Sequence, residues 1–433
     1  MAAWALAVVA GVVVVYALGS RRLDQTPISA AIFFLSAGLL FGSKGLGWID
    51  LSAGGDTVRL LAEATLTLVL FADASRIDLV ALRQEYRVPL RLLGIGLPLT
   101  IIAGCAIAAG LFQALSFGEA LVLAIILAPT DAALGQAVVT DPRIPSRVRQ
   151  GLNVESGLND GICVPLLFIA LAIADTEAHT KSTHGALALV VEAIGYGVLF
   201  GVVCGATGAV LLRLAREHGL AESSWLEVVP VGTAALSYGL AAPLGGSGFI
   251  AAFVAGFTFG AVRRDGDEVT YLLEELGGLA NAATFIVFGA AIVGPVLAGM
   301  SWTVALYGLL SLTVARMLPV AIALIGTRAR PPTLAFLGWF GPRGLASIVF
   351  TVIVLDEANL PNFRTITAIV VFTIVLSVYA HGVTAQPLTA RYASWFHAHP
   401  RDERPTMEDA HTPPQRWRLR TTRTTRKPSR PAH

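Results

Sequence analysis

The 433-residue chain is 55% hydrophobic and 14% charged, against roughly 25% charged in an ordinary soluble domain, and its mean hydropathy is +0.69. This balance excludes a disordered chain, a coiled coil and a conventional soluble enzyme. The net charge of +2 gives no general basis for binding nucleic acid.

A membrane crossing takes about 20 apolar residues. On that scale the chain predicts thirteen helices, at 2–19, 26–42, 57–75, 88–112, 117–138, 147–174, 184–213, 224–241, 248–263, 269–298, 303–326, 332–355 and 364–390. The first has no Lys or Arg ahead of its apolar run, which is also long for a signal-peptide core. It is read as a retained helix. Cys105, Cys163 and Cys204 all lie in apolar runs, an odd and widely spaced set with neither a disulfide framework nor a metal-binding pattern.

Cytoplasmic loops are enriched in Lys and Arg. The loops after the odd-numbered helices carry fifteen such residues, including Arg21, Arg22, Arg143, Arg147 and Arg149; those after the even ones carry four, Lys44, Arg59, Lys181 and Arg364. The count predicts an N-terminus outside and a C-terminus in the cytoplasm, for an integral membrane protein expected in the plasma membrane. Residues 391–433 read as a disordered basic tail, either touching anionic lipid or serving only to set topology. Gly197, Gly201 and Gly205, and again Gly256 and Gly260, recur at every fourth position, a spacing that lets helix backbones approach closely in lipid.

Ionisable groups inside a membrane are costly and therefore candidates for function. The fifth helix carries Ala128-Pro129-Thr130-Asp131. Pro129 removes an amide donor, so the helix is expected to break there. The freed carbonyls, the Thr130 hydroxyl and the Asp131 carboxylate make an all-oxygen environment suited to a small hard cation. The alternative is a helix end with Asp131 in solvent. In the sixth helix Glu155, Ser156, Asn159 and Asp160 share one broad flank, because Glu155/Asn159 and Ser156/Asp160 are each four residues apart. That flank faces the bundle interior, as an ion site or as a hydrogen-bonded packing network.

The twelfth helix carries Gly341-Pro342-Arg343-Gly344 near its middle. Arg343 needs a buried anion, and Glu155 is the expected partner. Arg316, in the eleventh helix, is a second buried cation whose partner the sequence does not name. Helices 5 and 12 hold corresponding places in two six-helix units of opposite orientation, separated by helix 7. Paired broken helices of this kind point to a transporter site at a repeat interface.

At these motifs the chain resembles monovalent cation:proton antiporters of the sodium/proton exchanger superfamily, in particular their NhaP-like branch. The strings are APTDAALGQAVVTDP (128–142), ESGLNDGICVPL (155–166) and GPRGLAS (341–347), with FADASRIDL (71–79) and GFIAAFVAGF (248–257). The resemblance spans about residues 1–390. It implies an all-α membrane protein of two inverted six-helix repeats in which unwound helices 5 and 12 cross at the ion.

The resemblance also implies a division of the chain. Residues 1–87 and 224–300 (helices 1–3 and 8–10) would form a dimerisation domain, and 88–174 and 301–390 (helices 4–6 and 11–13) a moving core. Residues 175–223 would hold a linker helix, with 391–433 as the tail. In this family pattern Asp160 exchanges cation for proton. Asp131, the Thr130 backbone and Ser156 complete the coordination of Na+ or another monovalent cation, and Glu155 pairs with Arg343. Asn159 stands where an electrogenic branch has a second aspartate, which implies electroneutral exchange. Ala132 follows Thr-Asp where the family often has Pro. The implied partners are a monovalent cation, protons, lipid and a second copy of the chain, with no resident cofactor and no enzymatic activity.

The physical basis of exchange needs no family. Burial disfavours a charged carboxylate and a bound cation favours it, so cation and proton compete for Asp160. Three other readings fit less well. An intramembrane aspartyl protease using Asp131 and Asp160 lacks its Gly-x-Gly-Asp string. A channel needs a continuous pore. A proton-coupled carrier of another solute remains the nearest alternative.

Overall fold

A computed structural model describes residues 2–23, 26–52, 54–77, 86–131, 133–179, 183–263, 270–297, 300–357, 360–399 and 407–408. All thirteen expected segments are helical. In chain order they are α1 (Ala2–Leu23), α2 (Ala30–Phe41), α3 (Asp56–Ser75), α4 (Arg87–Leu111), a broken α5 (Phe117–Ile126, then Gln136–Val139), α6 (Ser146–His179), α7 (Thr183–Glu217) and α8 (Ser223–Leu244). There follow α9 (Gly248–Arg263), α10 (Tyr271–Val296), α11 (Trp302–Ala323), a broken α12 (Pro331–Trp339, then Leu345–Glu357) and α13 (Phe363–His397). Among the described residues eight helices are long and apolar enough to cross a membrane, and four shorter ones are apolar. The described residues form no strand; Gly42 and Ile49 make an isolated bridge. This is an all-α membrane architecture, with a broken helix at the fifth step of each six-helix half.

Local chemistry sets several helix starts. Ser116 caps α5: its hydroxyl accepts the Glu119 amide at 3.2 Å, and its own amide donates to the Glu119 carboxylate at 3.0 Å. This reciprocal box satisfies two amides that the first turn leaves without helical partners. Ser29 and Ser301 cap α2 and α11 in the simpler way, through one side-chain oxygen.

The repeated glycines sit where helices meet. A Cβ at Gly201 or Gly205 of α7 would run into Val254 or Ala255 of α9, and one at Gly256 or Gly260 would run into the α3 backbone at Phe71 or Ser75. Small residues here let the backbones touch. Beyond connecting the two halves, α7 lies along α8 and α9. Helix α10 packs on α2 and α3, and α9 on α3. On the other side α4 packs on α5 and α11, α5 on α6, and α11 on the first half of α12 and on α13.

The broken helices sit in the middle of this bundle. The first half of α5 is buried from Gly118 to Ala120 and from Val122 to Ile126, and Ala346 to Val354 of α12 are buried as well. By contrast α1 exposes Leu6, Val15 and Leu18. Broken backbone is tolerated at membrane depth only inside protein or beside a cavity, and these breaks obey that condition.

The chain departs from expectation after residue 391. Helix α13 continues to His397, with Tyr392, Ala393 and Phe396 buried. The reason is packing on α12: the Tyr392 ring stacks on Phe336 at 4.3 Å, and its hydroxyl lies 2.8 Å from that of Thr333. Glu408 is buried beside them and accepts from the Thr333 hydroxyl at 2.6 Å. So part of the expected tail is held against the bundle. Its basic stretch, His411–His433, and Ala132 lie outside the described residues.

Candidate functional site

The two breaks lie against each other. Residues between Ile126 and Gln136 leave the α5 helix, and residues 340–344 leave α12. The Asp131 amide donates to the Pro342 carbonyl at 2.8 Å, and the Leu345 amide donates to Asp131 Oδ2 at 3.0 Å. Ser347 donates to the Ile126 carbonyl at 2.7 Å. The crossing therefore satisfies backbone groups that both breaks set free.

Asp131 is the joint of this crossing. Its Oδ1 accepts the amides of Ala133 and Leu134 at 2.7 and 3.3 Å, while Oδ2 accepts Leu345. The carboxylate thus caps the second half of α12, where the helix dipole favours negative charge. Gly344 makes the approach possible, since a Cβ there would occupy the space of the Asp131 carboxylate.

Arg343 is fully buried, and its guanidinium donates to the Ala128 and Pro129 carbonyls, the latter at 3.1 Å. A cation at the carbonyl end of the first half of α5 matches that helix's dipole. The expected Glu155–Arg343 ion pair is not formed. Glu155 is instead gripped by Arg316, with Nη1–Oε1 at 2.5 Å and Nη2–Oε2 at 2.8 Å. Glu155 reaches Arg343 only as a charge through space. Gly341 explains the exchange of partners: a Cβ at that position would strike the Arg316 guanidinium, so its absence lets Arg316 lie against the α12 break.

Beside the crossing, α6 supplies the polar flank. Thr130, Ser156, Asn159 and Asp160 are all buried. Asn159 Nδ2 donates to Thr130 Oγ1 at 2.7 Å, and Thr130 Oγ1 lies 3.0 Å from Ser156 Oγ. The structure thus brings Thr130, Ser156 and Asn159 into one network. Asp160 follows directly on α6. Its Oδ1 and the Oδ1 of Asn159 are buried without a hydrogen-bond partner. Buried oxygens normally find a donor, and these two lie beside the helix break.

Several residues here escaped sequence reasoning. Asp73 of α3 lies against α6 at Gly157 and, with Asp131, interacts electrostatically with Asp160. Arg76 bridges Asp73, at 3.5 Å, to Glu274 of α10, at 2.9 Å. Asp73 does lie within the FADASRIDL string, but its distance from Asp160 depends on how α3 packs. Ser377 and His381 of α13 touch the α12 break. Two polar residues four apart in an apolar helix were the available signal. Away from Asp160, a cavity of about 320 Å3 opens between α3, α6, α12 and the α8–α9 turn, lined by Arg59, Glu63, Phe168, Tyr238 and Ile353. Arg59 and Glu63, one turn apart on α3, pair on its wall at 2.7 Å.

Two broken helices thus cross inside an all-α membrane bundle, beside buried carboxylate and amide oxygens. The family described as "Sodium/hydrogen exchanger, transmembrane" matches residues 8–391, and the chain belongs to it. The chain is 26% identical over 374 residues to the K(+)/H(+) antiporter NhaP2 of Shewanella oneidensis, covering 84% of this chain and 63% of that protein. It is 22% identical over 427 residues to the probable Na(+)/H(+) antiporter C3A11.09 of Schizosaccharomyces pombe, covering 87% and 55%. The chain therefore spans less than two thirds of the length of these curated relatives. Its fold is that of the sodium proton antiporter MjNhaP1 from Methanocaldococcus jannaschii, with a TM-score of 0.74, 20% identity, and 90% and 98% of the two chains covered.

Proposed function

We propose that this protein exchanges a monovalent cation for protons across a membrane, with Asp160 as the site both ligands share. The reading is carried by the buried Asp160 oxygen that lacks a hydrogen-bond donor, next to the Thr130–Ser156–Asn159 network and the crossing of α5 and α12. A proton or a cation supplies what that oxygen lacks, and the two exclude each other. Thr130, Ser156 and Asp131 are the further oxygen donors, and Asp73 adds negative charge. Glu155 with Arg316, and Arg343 with the α5 carbonyls, hold the frame. Asn159 contributes a neutral amide where a second acid would bind a second proton, so the exchange is one for one. The cation is cargo, and the protein acts as a transporter without enzymatic chemistry.

In this reading α4–α6 and α11–α13 move as a core against α1–α3 and α8–α10, which pair two copies of the chain. The plasma membrane holds the protein with its C-terminus in the cytoplasm, following the fifteen-to-four asymmetry of basic residues. Relatives are named for both K+ and Na+, so the test uses both. Purified protein in proteoliposomes with a pH-sensitive dye inside is given pulses of Na+, K+ or Li+ across a pH gradient. A cation-dependent collapse of the gradient is expected. A gradient that responds to none of the three ions overturns the proposal.

A further inference from the structure

The break in α12 leaves two backbone groups on its two sides. Trp339 ends the first half and presents a carbonyl; Arg343, just before the second half, presents an amide. The Trp339 carbonyl accepts the Gly341 amide at 2.8 Å and still has a lone pair. Both groups are engaged by one neighbouring helix. The Arg343 amide donates to Ser377 Oγ at 2.6 Å. His381, one turn further along α13, places Nε2 2.8 Å from the Trp339 carbonyl and Nδ1 3.1 Å from Ser377 Oγ.

His381 Nδ1 also lies 2.9 Å from the Ser377 backbone carbonyl. The Trp339 carbonyl can only accept, so its contact with Nε2 is a hydrogen bond when Nε2 carries the proton. In that tautomer Nδ1 accepts, and the Ser377 hydroxyl, whose oxygen takes the Arg343 amide, has its own hydrogen to donate to Nδ1. The contacts then run from the Arg343 amide through Ser377 and His381 to the Trp339 carbonyl, and they span the break from one side to the other. Ser377 and His381 are both buried, at 0% and 1% exposure, so water does not replace these bonds. The His381 ring also lies 4.9 Å from the Trp339 ring, and Trp339 Nε1 donates to Thr384 on the same helix at 3.0 Å.

We propose that Ser377 and His381 form a clamp on the break of α12 and are positioning residues for the ion site. This inference rests on the cation-exchange reading above for its functional consequence, though not for its geometry. The clamped segment is the one that carries Arg343 to the α5 carbonyls, Pro342 to the Asp131 amide and the Leu345 amide to the Asp131 carboxylate. Releasing it loosens the α5 break, and with it Thr130 and Asp131. Neither clamp residue touches the cation; each acts through the backbone of residues 339–343.

The experiment uses the full-length protein in lipid, with Na+ and K+ as probes. His381→Phe keeps a ring and removes both nitrogens. Ser377→Ala removes only the hydroxyl. In both, the cation concentration for half-maximal exchange is expected to rise, on the order of tenfold for His381→Phe. Maximal rate and melting temperature should change much less. His381→Gln, whose side-chain amide offers two N–H donors and an oxygen acceptor, should recover part of the affinity. Hydrogen exchange at the amides of Gly341, Arg343, Gly344 and Leu345 should speed up in the two disabling variants, with protection in α9 unchanged.

In the wild type, nitrogen-15 spectra of the histidine rings should find a proton on Nε2 of His381. Unchanged half-saturation in both variants, or a His381 ring protonated on Nδ1 alone, overturns the clamp. If His381→Phe does not fold, Ser377→Ala decides alone by the same two readouts. If the wild type exchanges no cation, the transport reading fails, while amide exchange and ring spectra still judge the clamp.

Discussion

Glu155 and Arg316 face each other through two parallel hydrogen bonds, 2.5 and 2.8 Å long, with both side chains almost fully buried. This fork joins α6, which carries Asp160, to α11, which belongs to the other half of the chain. A planar guanidinium on a carboxylate fixes orientation as well as distance. The pair therefore sets how the two halves meet beside the breaks, and its energetic weight follows from its burial.

Removing one member of a buried pair leaves the other charge uncompensated, at a cost of about 3–5 kcal/mol. Glu155→Ala and Arg316→Ala should each reduce the amount of folded protein and its melting temperature. The Glu155→Ala/Arg316→Ala double variant should recover part of the loss. Glu155→Ala combined with Arg343→Ala should not, because Arg343 is held by the carbonyls of Ala128 and Pro129. Melting curves read by size-exclusion chromatography check all of these. Rescue by Arg343→Ala in place of Arg316→Ala would restore the pairing expected from sequence.

Asp160→Asn preserves shape and removes the charge that, in the proposed exchange, both cation and proton need. Exchange should fall to the level of empty liposomes while expression and melting temperature stay near wild type. Exchange at the wild-type rate in a well-folded Asp160→Asn protein would end the shared-site mechanism.

Gly344→Ala places a methyl group where the Asp131 carboxylate lies. Overpacking of this kind costs about 1–3 kcal/mol when neighbours must shift. Here the neighbour is the residue joining the two breaks, so exchange should be impaired more than stability. Gly232→Ala on α8 is the control, because a Cβ there meets open space. Equal activity of the two variants would mean that contact between Asp131 and residue 344 is not needed for transport.

Transport should carry no net charge. In the proposed exchange Asp160 holds one proton or one monovalent cation, and Glu155 is paired with Arg316. Asn159 does not titrate. Asp131 is the remaining acid on the crossing, and its oxygens are already engaged by three backbone amides. With the membrane potential clamped by valinomycin and K+, Na+ exchange rates should be the same at every potential. A rate that follows the potential would point to Asp131 as a second proton carrier.

The features legible in the sequence are those whose cause is local. Apolar length marks a helix, so all thirteen segments appear near their expected places. Pro129 and Pro342 lack an amide and the two breaks fall beside them, although Pro165, Pro319 and Pro387 lie inside helices that continue. The spacing of Glu155, Ser156, Asn159 and Asp160 puts them on one flank by helical periodicity alone, and Gly201 or Gly256 announces a close contact without saying with what.

Tertiary structure decided the partners. Two buried arginines and one nearby glutamate are equally compatible with either pairing on paper. Arg316 takes Glu155 because α11 passes the side of α12 where Gly341 leaves room, and Arg343 turns to the carbonyls that the α5 break exposes. Asp73 reaches the neighbourhood of Asp160, and His381 reaches the Trp339 carbonyl, through helix packing alone. Charge and hydrogen-bond partners are matters of distance between helices, and distance between helices is not written in the spacing of residues along any one of them.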